Sequence, residues 1–130
     1  MNGHLRTVLV VDDASDCAST LELALSPLAE IEVRAVASVE EALAVLECGK
    51  VAAVITDVQL PGLSGMELLS RIRAHPDWRV LPVLVISADP HRGTPGAALR
   101  LGADAYFAKP FSPGAVRRKL EELMYAKSSP

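Results

Sequence analysis

Val8-Leu-Val-Val-Asp-Asp13 passes through four apolar residues and stops on two acids. So short an apolar, largely β-branched run suits a strand covered on both faces, and two carboxylates cannot follow it into an apolar core. The acids therefore mark a strand end. Working outward, the same signature recurs, with strands predicted at Thr7 to Val11, Ile31 to Ala35, Ala53 to Thr56, Val83 to Ser87 and Ala105 to Ala108. Longer segments of helical period separate these runs. Such alternation is the pattern of repeated βα units around a parallel sheet, and five pairs are present.

The helix starts carry their own signals. Ser38 and Glu41 form a capping box, in which each side chain satisfies a backbone N–H at the helix start. Thr94-Pro95 and Ser112-Pro113 each set a capping hydroxyl before a proline whose missing N–H costs nothing at the first helical position. Gly49 and Gly102 are placed to close the second and fourth helices, and Pro27 is predicted to end the first near Ser26. The segment from Asp89 to Gly96 holds two glycines and two prolines. The fourth helix is therefore expected to begin only at Pro95, after a mobile approach loop.

A chain of 130 residues, half of them apolar, can bury one core without disulfides. One domain is expected over residues 1–126, with 127–130 as a tail or the start of a linker. The apolar runs are too short to span a bilayer, and the first residues are unlike a secretory signal, so no membrane association and a cytoplasmic location are expected. Cys17 and Cys48 fall in separate helical segments without metal-ligand spacing, which favours packing roles. The net charge of −3 offers nucleic acid no general attraction, and no direct nucleic acid binding is expected. Arg117, Arg118 and Lys119 read as a solvated helix face.

In an open parallel sheet, functional groups gather at the carboxyl ends of the strands. Those ends supply Asp12 and Asp13 after the first strand, Asp57 after the third, Ser87 at the end of the fourth and Lys109 after the fifth. Carboxylates brought together repel one another, and a cation relieves them. Mg²⁺ suits an all-oxygen set, because it takes one or two carboxylates with waters and phosphate oxygens. Lys109 adds a point charge and Ser87 a hydroxyl donor at the same level. Taken singly, Asp-Asp after a strand is a common helix cap and Lys-Pro a common turn; the weight lies in their combination.

With these residues in view, the chain resembles the receiver domains of bacterial two-component response regulators, and in particular the chemotaxis regulators. The blocks that carry the resemblance are Val8-Leu-Val-Val-Asp-Asp13, Asp57-Val-Gln-Leu-Pro-Gly-Leu-Ser-Gly65, Ile86-Ser-Ala88 and Lys109-Pro-Phe111, and it covers essentially the whole chain. It implies a single-domain, doubly wound α/β fold of the flavodoxin-like (βα)5 type, with a parallel sheet in strand order 2-1-3-4-5. It also implies that Asp57 accepts a phosphoryl group from a phosphohistidine, supplied by a sensor histidine kinase or a histidine phosphotransfer protein. Asp13, Asp57 and the backbone carbonyl of Gln59 would hold Mg²⁺, with Asp12 acting through metal-bound water. Lys109 would neutralise charge on the phosphoryl group and Ser87 would hydrogen-bond it, while Tyr106 would rotate behind Ser87. The changed face of the fourth helix, fifth strand and fifth helix would control a downstream partner or an output domain, or support a homodimer. The family's cis bond would fall at Lys109-Pro110.

Other readings remain beside this one. Tyr106 also fits a strand aromatic that packs locally. Gln59 and Asp89 each lie two residues past a site residue, and an acidic Asp89 would either orient or repel an attacking water. The fold would also serve a constitutive interaction module or an Mg²⁺-dependent phosphohydrolase, although the cap that encloses a small substrate is not visible. A dinucleotide-binding domain is disfavoured because no G-x-G-x-x-G follows the first strand. His4, His75 and His91 read as ordinary surface histidines, and Trp78 as a cover for the loop before the fourth strand.

Overall fold

In a computed structural model of the chain, residues 6–28, 30–88 and 94–126 are described. They form β1 (Arg6–Val11), α1 (Ser15–Leu25), β2 (Ile31–Val36), α2 (Val39–Glu47), β3 (Val51–Asp57), α3 (Gly65–Ala74), β4 (Val83–Ser87), α4 (Thr94–Arg100), β5 (Ala105–Ala108) and α5 (Pro113–Ala126). The strands make one parallel sheet in the order β2-β1-β3-β4-β5, the doubly wound arrangement that the family resemblance implies. The third strand runs further than its apolar pattern predicts. Its ladder opens with Val51 opposite Thr7 and closes with Asp57 opposite Ile86, so the aspartate is itself part of the strand.

Period-two alternation divides each strand between two cores. Val8, Val10, Ala53, Ile55, Leu84 and Ile86 face α1 and α5, where Leu21, Leu25, Val116 and Leu120 meet them. Leu9, Val11, Val54, Val83 and Val85 face the other way, onto Val39, Leu46, Leu68, Leu69, Ile72 and Ala98 of α2, α3 and α4. Each large side chain buried in this way contributes about 1.5–3 kcal/mol. Burial on both faces explains why β1, β3 and β4 read as nearly unbroken apolar runs. β2 is a sheet edge, and its burial is partial.

The predicted caps at Ser38 and Ser112 are found. Ser38 Oγ accepts the Glu41 N–H at 3.2 Å, but the Glu41 carboxylate reaches one residue further back, to the N–H of Ala37 at 2.8 Å. Ser112 Oγ accepts the Ala115 N–H at 3.2 Å. α4 begins at Thr94 rather than Pro95, and the expected cap and approach loop fall on the Thr94 side chain and residues 89–93, outside the described set. Gly49 and Gly102 take the left-handed conformation after α2 and α4, with φ of 80° and 109°. α1 stops at Leu25, before Pro27.

At the opposite edge of the sheet from the acids, Trp78 packs on the α2–α3–α4 core and stacks on His75, with ring centroids 3.7 Å apart. Both cysteines are free, Cys17 in α1 and Cys48 at the end of α2. His4, His91 and residues 127–130 lie outside the described residues. Among those described, no helix is long and apolar enough to cross a membrane.

Candidate functional site

β1 pairs with β2 on one side and β3 on the other, so the strand order reverses between β1 and β3. Open α/β sheets leave a crevice at such a reversal, outside the carboxyl ends of the strands. Asp12 directly follows β1, Asp57 ends β3, and their neighbours Val11 and Thr56 are paired in the ladder. Register alone therefore brings the two acids side by side. Both are buried, at 6% and 5% exposure.

Lys109 joins them. Its Nζ donates to Asp12 Oδ2 at 3.0 Å and to Asp57 Oδ2 at 2.8 Å. The remaining oxygen of each carboxylate accepts a backbone N–H two residues on: Asp12 Oδ1 from Ala14 at 2.8 Å, and Asp57 Oδ1 from Gln59 at 2.9 Å. Lys109 is brought in from β5, where its own N–H donates to the Ser87 carbonyl at 2.8 Å and the Lys109-Pro110 peptide bond is cis. Burial opposes the charge on Lys109, but the hydrogen bonds and charges of Asp57 and Asp12 outweigh it and raise its pKa above the ordinary lysine value. The lysine is an ammonium at any physiological pH.

The remaining candidates occupy distinct places. Ser87 is buried at the end of β4, next to β3. Gln59 is exposed, and its backbone enters the site through the N–H bond to Asp57. Asp13 is exposed beside Asp12. Tyr106 packs on the α2–α3–α4 core, and its buried hydroxyl has no hydrogen-bond partner among the described residues.

The expected meeting of three carboxylates is thus resolved as a buried pair bridged by lysine, with the third acid at the rim. Among the described residues, no group of three His, Cys, Asp or Glu side chains is set to hold a metal ion. The donor chemistry still fits Mg²⁺, which takes one or two carboxylates together with carbonyl and water oxygens. One lysine cannot balance Asp12, Asp13 and Asp57.

Three neighbours of the site were not assigned to it from the sequence. The Cys17 thiol lies against Asp12, and burial, then its hydrogen bond to that carboxylate, push its pKa up to about 12. Thr56, fully buried, donates its hydroxyl to the Asp57 carbonyl at 3.0 Å. Gly65 begins α3 directly against that same carbonyl. A hydroxyl inside an otherwise apolar strand was the available signal for Thr56; nothing local marks the other two.

Comparisons with known proteins place the fold in a family. Residues 8–121 match the response regulator receiver domain. The chemotaxis protein CheY-3 of Vibrio cholerae is 32% identical over 116 residues, covering 89% of each chain, and the CheY homolog of Campylobacter jejuni is 29% identical over 118 residues, covering 90% of this chain and 91% of that one. Among solved structures, a CheY-like response regulator receiver domain protein from Methanospirillum hungatei superposes with a TM-score of 0.84 at 27% identity, covering 95% of this chain and 97% of that one. The chemotaxis response regulator CheY4 of Vibrio cholerae gives 0.80 at 25% identity, covering 92% and 98%. A doubly wound sheet with an acid pair and a lysine at its switch point, matched along nearly its whole length, makes this chain a member of the response regulator receiver domain family.

Proposed function

We propose that Asp57 accepts a phosphoryl group from the phosphohistidine of a sensor histidine kinase or a histidine phosphotransfer protein. The observation that carries this reading is the bridge from Lys109 to Asp57 and Asp12 at the switch point of the sheet. A carboxylate oxygen of Asp57 attacks phosphorus, and the phosphorus–nitrogen bond breaks with its electron pair left on the imidazole. Asp57 is suited to attack because its own hydrogen bonds hold the carboxylate in one orientation, and transfers of this kind depend chiefly on positioning and charge stabilisation. Asp13, Asp57 and the Gln59 carbonyl would hold Mg²⁺, with Asp12 acting through its bound water. When bound, Mg²⁺ supplies neutralising charge at the phosphoryl oxygens.

Lys109 exchanges its contact with Asp57 for one with a phosphoryl oxygen, and Ser87 donates its hydroxyl to another. Tyr106 then turns toward the space behind Ser87. Its hydroxyl finds no hydrogen-bond partner among the described residues, which favours such a movement. The α4-β5-α5 face is the surface on which a downstream partner, an attached output domain or a second copy would read the change. Leu99 of α4 and Leu101, just after it, are 54% and 40% exposed and give that face an apolar component. The domain comprises residues 1–126, with 127–130 as a tail or the start of a linker. It acts in the cytoplasm, and the only phosphoryl chemistry it catalyses is its own.

Intact mass spectrometry after incubation with acetyl phosphate and Mg²⁺ tests the reading. One phosphoryl adduct is expected on the native chain and none on Asp57→Asn. An adduct retained by Asp57→Asn, or no adduct on the native chain, refutes it.

A further inference from the structure

We infer that Gly65 and Thr56 are positioning residues for Asp57, acting on its backbone carbonyl rather than on its carboxylate; the inference rests on the phosphoacceptor role proposed for Asp57. The carboxylate of Asp57 is aimed by the backbone that follows it, because Oδ1 is tied to the Gln59 N–H at 2.9 Å. Whatever turns the peptide between Asp57 and Val58 therefore turns the carboxylate relative to Lys109, which approaches from a different strand.

Two contacts hold that peptide. The Thr56 hydroxyl, fully buried, donates to the Asp57 carbonyl at 3.0 Å. The first residue of α3 lies directly on the same group. The Gly65 N–H donates to the Val58 carbonyl at 2.8 Å, and a Cβ on Gly65 would collide with the Asp57 carbonyl oxygen. That Cβ would also stand 2.9 Å from the Asp57 carbonyl carbon and 3.0 Å from Thr56 Oγ1. These obstacles are the backbone of a central strand and a buried side chain beside it, neither of which is a flexible tip that can swing away.

Glycine is thus required at 65 for close approach, not for backbone conformation. Gly62, in the same loop, supplies the contrast. It needs the left-handed region, with φ of 79°, yet its Cβ would meet nothing within 4 Å. Alanine at 62 strains the loop. Alanine at 65 must either lift α3 off β3 or rotate the Asp57 peptide, and both displace the phosphoacceptor. A misplacement of about 1 Å is enough to slow such a reaction by about a hundredfold.

The test compares Gly65→Ala, Gly62→Ala, Thr56→Val and Thr56→Ser with the native chain. Uptake of phosphoryl from acetyl phosphate is followed by intact mass across a range of acetyl phosphate concentrations. Each protein is assayed below its melting temperature, as fixed by circular dichroism. Gly65→Ala is expected to lose at least about tenfold in the saturating rate constant, with half-saturation little changed, while Gly62→Ala melts earlier but keeps the native rate. Thr56→Val is expected to slow severalfold and Thr56→Ser to recover.

A folded Gly65→Ala with the native rate, or a Gly62→Ala equally slow, overturns the inference for Gly65. A Thr56→Val at the native rate, or no recovery in Thr56→Ser, overturns it for Thr56. Should Gly65→Ala fail to fold, the Thr56 pair decides the matter at the same carbonyl. If the native chain takes up no phosphoryl, the proposed function fails, and crystal structures of the variants judge the positioning separately. A Lys109–Asp57 contact still at its native 2.8 Å in both Gly65→Ala and Thr56→Val then overturns it.

Discussion

The ammonium of Lys109 lies 2.8 Å from Oδ2 of Asp57, and the same nitrogen lies 3.0 Å from Asp12. One cation thereby holds two buried carboxylates that would otherwise repel each other, and in the transfer proposed above it would stand where charge accumulates. Lys109→Met is expected to slow phosphoryl uptake by about 10²–10³, the usual loss when one charge-stabilising donor is removed. It should also lower the melting temperature, because the acids lose their counter-charge. Rate measurements by intact mass, with a parallel melt, check both effects; an unchanged rate removes Lys109 from the mechanism.

Excess negative charge at the rim, with Asp13 exposed beside the bridged pair, leads to a second expectation. Mg²⁺ should raise the melting temperature of the native protein, by about 2.7 kcal/mol of added stability at a hundred times its dissociation constant. EDTA should reverse the gain, and Asp13→Asn should remove most of it. Equal Mg²⁺ effects on native protein and Asp13→Asn would exclude Asp13 as a ligand.

Tyr106 carries a hydroxyl that is buried without a hydrogen-bond partner among the described residues. A polar group desolvated in this way costs about 1–3 kcal/mol, so Tyr106→Phe should be neutral or stabilising in the unphosphorylated protein. Urea denaturation without phosphodonor measures this directly. A loss above about 1 kcal/mol would mean that the hydroxyl is bonded in solution.

For Cys17, burial and the adjoining Asp12 carboxylate push the pKa from 9.0 up to about 12. Folding therefore favours the protonated thiol. Its contribution to stability is complete below pH 9 and is lost as the pH climbs toward 12. At pH 8, iodoacetamide should label exposed Cys48 well before Cys17, by a margin of about a hundredfold or more, because only the thiolate reacts. Peptide mapping at timed intervals reads the order, and comparable labelling at both positions would contradict it.

Arg73 joins three segments away from Asp57. Its guanidinium donates to the carbonyls of Gly102 at 2.9 Å, Arg79 at 3.0 Å and Leu81 at 2.7 Å, and to the Asp104 carboxylate at 3.1 Å. Lysine cannot reproduce that fork. Arg73→Lys should cost about 2–4 kcal/mol in urea denaturation while phosphoryl uptake by the folded protein stays native. A change below about 0.5 kcal/mol would show that the network is replaced by water.

Local pattern was sufficient for much of this protein. Short apolar runs such as Val8 to Val11 and Val83 to Ile86 cannot be solvated, so they announce buried strands, and the acids, serine and lysine that end them announce the functional edge. The caps at Ser38 and Ser112 were equally readable, because they depend on residues three apart. Assembly of the whole chain settled the rest. Lys109 bridges acids 97 and 52 positions away. Asp13 stays at the rim, Cys17 settles against Asp12, Gly65 abuts the Asp57 carbonyl, and Arg73 spans 29 positions to reach Gly102. Such contacts follow from sheet order and strand register, which arise when helices and strands distant in sequence close their shared cores, and no window of neighbouring residues contains that information.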